Sequence, residues 1–167
     1  MKPTSKIEFP GVGFWYPKLS NISPKAKIGF GSTIHSGVHI HDNVIIGKKC
    51  QIQAGALLFN GVTLEDDVFI GPGVIFTNDP KLNKERIEWK PTSTLVKKGA
   101  KIGAGAMIRA GVTIGERAII GMGSVVLNDV PNGEVWVGNP AKKMLKEIEY
   151  NGPFEKTPWE DYLSNSV

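Results

Sequence analysis

Residues 26–49 read AKIGFG STIHSG VHIHDN VIIGKK, four hexads in succession. Isoleucine holds the third place of each (Ile28, Ile34, Ile40, Ile46), and a small or β-branched residue opens each (Ala26, Ser32, Val38, Val44). The beat runs outward from there. It starts at Ile22 and continues through Ile52, Leu58, Leu64 and Ile70 to Phe76; it restarts at Val96 and passes Ile102, Ile108, Ile114 and Ile120 to Val126. The opening places stay small or branched throughout, as at Cys50, Ala56, Val62, Thr94, Ala100, Ala118 and Ser124. A period of six spreads around an α-helix, but it is a multiple of the strand period of two. The pattern predicts a solenoid of short parallel strands, with the aliphatic residue in a narrow core and the small residue inward beside each corner. Successive turns then hydrogen-bond at about 4.8 Å. Cys50, at a small inward place, is a packing residue on this view.

The beat breaks once, in VIFTNDPKLNKERIEWKPTSTLV, residues 74–96. If Val96 fills the slot due at residue 82, the coils resume in register and the break is a 14-residue insertion, a loop over about 78–93. Residues eighteen apart stack in adjacent turns, so Asn78 should lie over Asn60 and Asn60 over Asp42. Such a polar column either binds a sugar or is a solvated ladder. The expected organisation is an N-terminal cap over 1–19 containing GVGFWYP, a β-solenoid over 20–139, and a helix and tail over 140–167.

The chain has 167 residues, 41% of them hydrophobic and 22% charged, with 20 glycines, one cysteine and a net charge of +4. One cysteine excludes an internal disulfide. The mild positive charge suits an anionic small molecule, and no basic run interleaved with aromatics suggests nucleic acid. The N-terminus has charges and prolines where a signal peptide needs an apolar core, and no run approaches the ~18 apolar residues of a membrane span. The expectation is a cytoplasmic protein with neither membrane nor nucleic-acid partner.

The hexads AKIGFG, VIIGKK and AKIGAG resemble the hexapeptide-repeat family over roughly residues 20–148. The resemblance implies a left-handed parallel β-helix with three hexads per turn; the hand comes from the resemblance alone. The ending GMGSVVLNDVPNGEVWVGNPAKKMLKEI (121–148) resembles the acetyltransferase branch, where Pro140 would open a helix. Lys142 matches the basic residue that meets a phosphate of coenzyme A, with Lys143 and Lys146 further along. The resemblance also implies acetyl-CoA as co-substrate, bound between subunits of a homotrimer. Gly103 and Gly121 would admit the pantetheine close to the backbone, Ala104 and Met122 would contact it through backbone groups, and Leu127 would lie near the adenine. The metal-dependent branch needs three imidazoles from separate turns. Only His35, His39 and His41 are present, all within one turn, so no metal is expected.

FTND, Phe76 to Asp79, resembles the nucleotide-sugar N-acetyltransferases that acylate a 3-amino group on a dTDP- or UDP-linked deoxy sugar. Asn78 matches the asparagine that contacts the amine there. Asp79 followed by Pro80 is closer to the 3-amino-3,6-dideoxyhexose enzymes than to the uronic-acid variant. The absence of histidine after His41 tilts the acceptor toward an amine, which is nucleophilic without a protein base. Asp79, Asn60 and His39 are further candidates for substrate contact. Arg86 would meet a diphosphate or a carboxylate, and Trp89 would cover a ring or pack the loop. Two other possibilities stay open: O-acetylation with one of the three histidines as base, and a non-catalytic scaffold. The tail is expected as an arm packing on a neighbour through Phe154 and Trp159.

Overall fold

A computed structural model describes residue 11, residues 13–14, 19–80 and 90–144. The described chain is an all-β parallel solenoid of three faces. Face I stacks Gly13–Phe14, Thr33–Ile34, Gln51–Ile52, Phe69–Ile70, Lys101–Ile102, Ile119–Ile120 and Val135–Val137 in order. Face II stacks Asn21–Ile22, His39–Ile40, Leu57–Leu58, Ile75–Phe76, Met107–Ile108 and Val125–Val126, and face III stacks Lys27–Ile28, Ile45–Ile46, Val62–Leu64, Thr94–Val96 and Thr113–Ile114. The chain visits the faces in turn, so every strand pairs with one that is a full coil away.

The two-residue strands follow from the hexad. The second residue of each pair points inward, and Ile34, Ile52, Leu58, Ile70, Phe76, Ile102, Ile108 and Ile114 are wholly buried. Burial of such a side chain contributes roughly 1.5–3 kcal/mol, repeated at each hexad. The small inward places include three hydroxyls that are buried and satisfied. Ser32 accepts the Cys50 amide (3.0 Å) and donates to the Gly47 carbonyl (2.9 Å); Ser124 accepts the Gly138 amide (3.1 Å) and Thr94 the Gly111 amide (3.1 Å). Cys50 is buried as expected, and burial pushes its thiol up.

The register survives the break. Leu64 pairs with Val96, and Val96 with Ile114. Thirty-two residues separate Leu64 from Val96 where eighteen separate Ile46 from Leu64, so fourteen residues leave the coil between faces II and III.

The helix expected from Pro140 is not formed over the described residues. Residues 138–141 make a turn, and Lys142–Lys143 is a short strand antiparallel to Val135–Val137. The β-branched and aromatic run Val135–Trp136–Val137 favours strand pairing. The turn also closes the end of the solenoid: Val125 donates to the Gly138 carbonyl, Ala141 donates to the Val125 carbonyl, and the Ala141 side chain is buried. Residues 145–167, with Lys146, Phe154 and Trp159, lie outside the described residues, as do most of residues 1–19.

The corners differ sharply in chemistry. Where face III turns into face I, successive coils carry Lys48–Lys49, then Glu65–Asp66–Asp67, then Lys97–Lys98, then Glu116–Arg117. Where face I turns into face II, the later coils carry Gly71–Pro72–Gly73, Gly103–Ala104–Gly105 and Gly121–Met122–Gly123. A Cβ on Gly103 would stand 2.6 Å from the Met122 nitrogen, and one on Gly71 would stand 2.7 Å from the Ala104 nitrogen. These glycines let adjacent coils close on each other. Gly73 differs: its φ is +66° and a Cβ there would meet nothing within 4 Å. Gly103→Ala should therefore cost up to about 3 kcal/mol through backbone overlap, and Gly73→Ala about 1 kcal/mol through its left-handed conformation alone. Urea unfolding of the two variants measures the difference; equal losses would remove the coil-contact explanation for Gly103.

Candidate functional site

At the charged III–I corner, side chains of one coil take up amides of its neighbour. Lys48 N–H donates to Asp66 Oδ1 (2.7 Å), Lys98 N–H to Glu65 Oε2 (2.8 Å) and Glu116 N–H to Asn132 Oδ1 (2.8 Å). The I–II corner is built from glycine, alanine, proline and one methionine after Gln53, and it offers no such acceptor. The amides of Ala54, Ala104 and Met122 donate to no other described residue. Ala104 is exposed, and Met122 is 81% exposed. The corner is thus an uncharged ledge on which Ala104 and Met122, one coil step of about 4.8 Å apart, keep N–H donors with no partner among the described residues; Pro72, which has no N–H, separates them from Ala54. Two adjacent unpaired donors suit a linear ligand carrying carbonyl acceptors.

The II–III corner is where the fourteen residues leave. Its first places stack His41, Phe59, Thr77, Arg109 and Leu127; its second places stack Asp42, Asn60, Asn78, Ala110 and Asn128, following the strand register below them. The His41 and Phe59 rings lie 4.5 Å apart, tilted by 46°. Asp42 is engaged within its own end of the column: Ser23 donates to it at 2.5 Å and Lys25 Nζ lies 2.8 Å away. The Lys25 and Ser23 hydrogen bonds hold its carboxyl below the usual range. Asn60 and Asn78 are half-buried and make no side-chain hydrogen bond to another described residue. The expected column is present, and its two amides differ from the aspartate beneath in being uncommitted.

These corners bound the two edges of face II. Gly103, Ala104, Gly121 and Met122 share the I–II edge, whereas Asn60, Asn78, Asp79 and Leu127 share the II–III edge. Leu127 is therefore not beside Ala104 and Met122 within one chain. His35 stands at the I–II corner, His39 on the outer surface of face II, and His41 at the II–III corner, so the three imidazoles point from three places. Leu57, Ile75, Met107 and Val125 complete the outer row of face II above His39, and Met107 is 48% exposed. Arg86 and Trp89 lie outside the described residues. Among the described residues no cluster of three or more His, Cys, Asp or Glu could hold a metal, and no helix is long and apolar enough to cross a membrane.

Lys142 is exposed on the antiparallel strand appended to face I. That strand is pinned by Glu134, which accepts from Trp136 Nε1 (2.8 Å) and from Lys143 Nζ (2.6 Å). Sequence reasoning did not find this clip, although EVWV carries a strand signal. The backbone role of Ala104 and Met122 came from family resemblance alone, because residue names do not reveal which backbone N–H lacks a partner.

The sequence matches the family model described as bacterial transferase hexapeptide (six repeats) over residues 25–60 and 93–128, either side of the insertion. Among solved structures, the chain is similar to a variant of GDP-perosamine N-acetyl transferase from Caulobacter crescentus in complex with CoA and GDP-perosamine. The TM-score is 0.68 at 27% identity, covering 81% of this chain and 58% of that one. It is also similar to the acetyltransferase domain of PglB from Neisseria gonorrhoeae in complex with acetyl coenzyme A, with TM-score 0.69, 25% identity, and 80% and 58% of the two chains covered. A hexapeptide-repeat-containing acetyltransferase from Vibrio cholerae, complexed with acetyl coenzyme A, gives TM-score 0.65 at 26% identity over 77% and 72%. This chain spans 58% of the length of the first two. No curated protein sequence matches it.

The Glu134 clip has a pH signature. Hydrogen bonds from Lys143 and then Trp136 lower the Glu134 pKa. A lowered folded value means that the carboxylate's contribution is complete above the unfolded glutamate value and is lost as pH falls through the folded one. The Trp136 indole N–H resonance should therefore hold its position through the ordinary glutamate range and move only below it. In Glu134→Gln that transition should vanish; a midpoint at the ordinary glutamate value would refute the clip.

Proposed function

This chain belongs to the bacterial transferase hexapeptide family, and on that premise we propose that it is an acetyl-CoA-dependent N-acetyltransferase acting on an amino sugar carried by dTDP or UDP, with C3 as the amine position. The observation that carries this reading is the uncharged ledge of the I–II corner with its unpaired amides at Ala104 and Met122. A pantetheine arm has amide carbonyls to match such donors, and the bare glycine corners leave it room. Solved structures similar to this chain hold acetyl coenzyme A, and one of them holds a nucleotide-linked amino sugar beside CoA.

In this reading Lys142, exposed and carried by the clipped strand, meets a phosphate of the coenzyme, and Leu127 meets its adenine end. Asn78 orients the sugar amine, with Asn60, Asp79 and His39 on the same side and Arg86 and Trp89 supplied by the loop. The free amine attacks the thioester carbonyl; the N–C bond forms as the C–S bond breaks, and the departing thiolate takes the amine proton. No protein base is required, since an unprotonated amine is already nucleophilic.

The two half-sites lie on opposite edges of face II, so a complete site needs a second copy alongside. A homotrimer supplies three such sites by cyclic symmetry, and the apolar outer row Leu57, Ile75, Met107 and Val125 is surface suited to an interface.

Thiol release from acetyl-CoA should depend on an added dTDP- or UDP-linked 3-amino sugar. Asn78→Ala should lower kcat by about a hundredfold, the scale for loss of one preorganised hydrogen-bonding group, with little change in the KM for acetyl-CoA. Lys142→Ala should do the reverse, raising that KM several-fold. Full turnover in Asn78→Ala would take this residue out of the site.

A further inference from the structure

The corner from which the insertion leaves has lost its ordinary turn bond. In the coils below it and in the next one above, the chain closes through an amide three residues on: Val44 donates to the His41 carbonyl, Val62 to Phe59 and Val112 to Arg109; in the last coil Val130 donates to Thr113 instead. The equivalent donor after Thr77 would be residue 80, a proline, which has no N–H. The next coil carries a bond that this corner lacks elsewhere. At the I–II corner Gly105 donates to the Pro72 carbonyl and Gly123 to Ala104, both at 2.8 Å. At the II–III corner the matching amides of Asn43, Gly61 and Asp129 make no such coil-to-coil bond, whereas Gly111 donates to Thr94 Oγ1.

Three threonines occupy the gap. Thr77 Oγ1 accepts the Ala110 amide (2.9 Å) and donates to the Ile108 carbonyl (3.4 Å). Thr94, 1% exposed, accepts the Gly111 amide (3.1 Å). Thr92, on the returning strand side, donates its own amide to the Asn78 carbonyl (3.1 Å). The departing and returning ends of the insertion are therefore both tied to the solenoid within one coil of Asn78. One coil below, Phe59–Asn60–Gly61 has no hydroxyl to form such ties and no insertion that requires them.

We infer that Thr77 is a positioning residue for Asn78, holding it in place through a threonine clamp that substitutes for the turn bond lost at Pro80. This rests on the reading of Asn78 as a substrate-contacting residue. The clamp fixes the last regular residue before a long loop, where an untethered chain would let the side chain wander. A side chain displaced by about 1 Å loses orientation worth up to a hundredfold in rate, so a clamp at this point acts on turnover and not on coenzyme binding.

Hydrogen exchange in the full-length protein decides the clamp itself. In the wild type, the Thr92, Ala110 and Gly111 amides should exchange more slowly than the Asn60 amide; fast exchange at Thr92 would overturn the clamp without any variant. Thr77→Val, which removes the acceptor but keeps the shape, should speed exchange at Ala110 at least tenfold, and Thr77→Ser should restore it. Kinetics on acetyl-CoA with dTDP- and UDP-linked 3-amino-3,6-dideoxyhexoses then decide the positioning role. Thr77→Val should lower kcat about tenfold with the acetyl-CoA KM unchanged, and Thr77→Ser should recover it. Wild-type kcat in Thr77→Val, or a loss that Thr77→Ser shares, overturns the role while leaving the Asn78 reading intact. Wild-type kcat in Asn78→Ala, or no turnover on either sugar, overturns that reading and the positioning role with it, whereas the clamp still stands or falls on the exchange.

Discussion

Every coil must lie within hydrogen-bonding reach of the next, and the whole molecule is arranged around that spacing. At about 4.8 Å there is room between corners for an amide and a carbonyl but not for a Cβ at Gly71 or Gly103. The same spacing turns sequence positions eighteen apart into vertical columns, so the residues of each column meet one another from coil to coil. Isoleucines fill one kind of column, small residues another, and the three corners become strips with separate characters. A polar group that enters the interior does so only where a neighbouring coil offers a partner. Ser32, Thr94 and Ser124 each have one, and no buried side-chain nitrogen or oxygen among the described residues is left unpartnered.

This translation from period to geometry explains which parts were legible in advance. The hexad beat through Ile22–Phe76 and Val96–Val126 gave the strand pairs, the buried set and the register across the insertion, because in a solenoid spacing in sequence is position in space. The column Asp42–Asn60–Asn78 was legible by the same arithmetic. Its internal difference was not, since Asp42 is engaged by Ser23 and Lys25, nineteen and seventeen residues away, whose reach depends on side-chain geometry. The ledge at Ala104 and Met122 could be guessed only from family resemblance, because N–H direction has no signature in residue type. At the C-terminal end, Pro140 suggested a helix start, but pairing between Val135–Val137 and Lys142–Lys143 supplies backbone partners that a helix start there would have forgone.

The layout of face II joins fold to proposed chemistry. One edge is stripped of charge and bulk; the other carries amides and the root of a long loop; the strip between them is Leu57, Ile75, Met107 and Val125. A flat-sided solenoid has no cleft of its own, so a pocket must come from a loop, a second copy, or both. The proposed acyl transfer uses both, and the division of labour assigns the coenzyme to rigid repeat geometry and the sugar to the part of the chain that departs from it.

The charged corner between faces III and I has a consequence for assembly of the coils themselves. Lys48–Lys49, Glu65–Asp66–Asp67, Lys97–Lys98 and Glu116–Arg117 alternate in character from coil to coil. Exposed charges of this kind add little to the stability of the finished fold. Their weight falls on the alternatives, which are numerous in a repeat whose interior is nearly the same at every level. A chain that skipped a coil would set lysine against lysine and Asp66 against Glu116, while its isoleucines would still fit. The hydrophobic beat specifies that coils stack, and the alternating charges specify which coil is next.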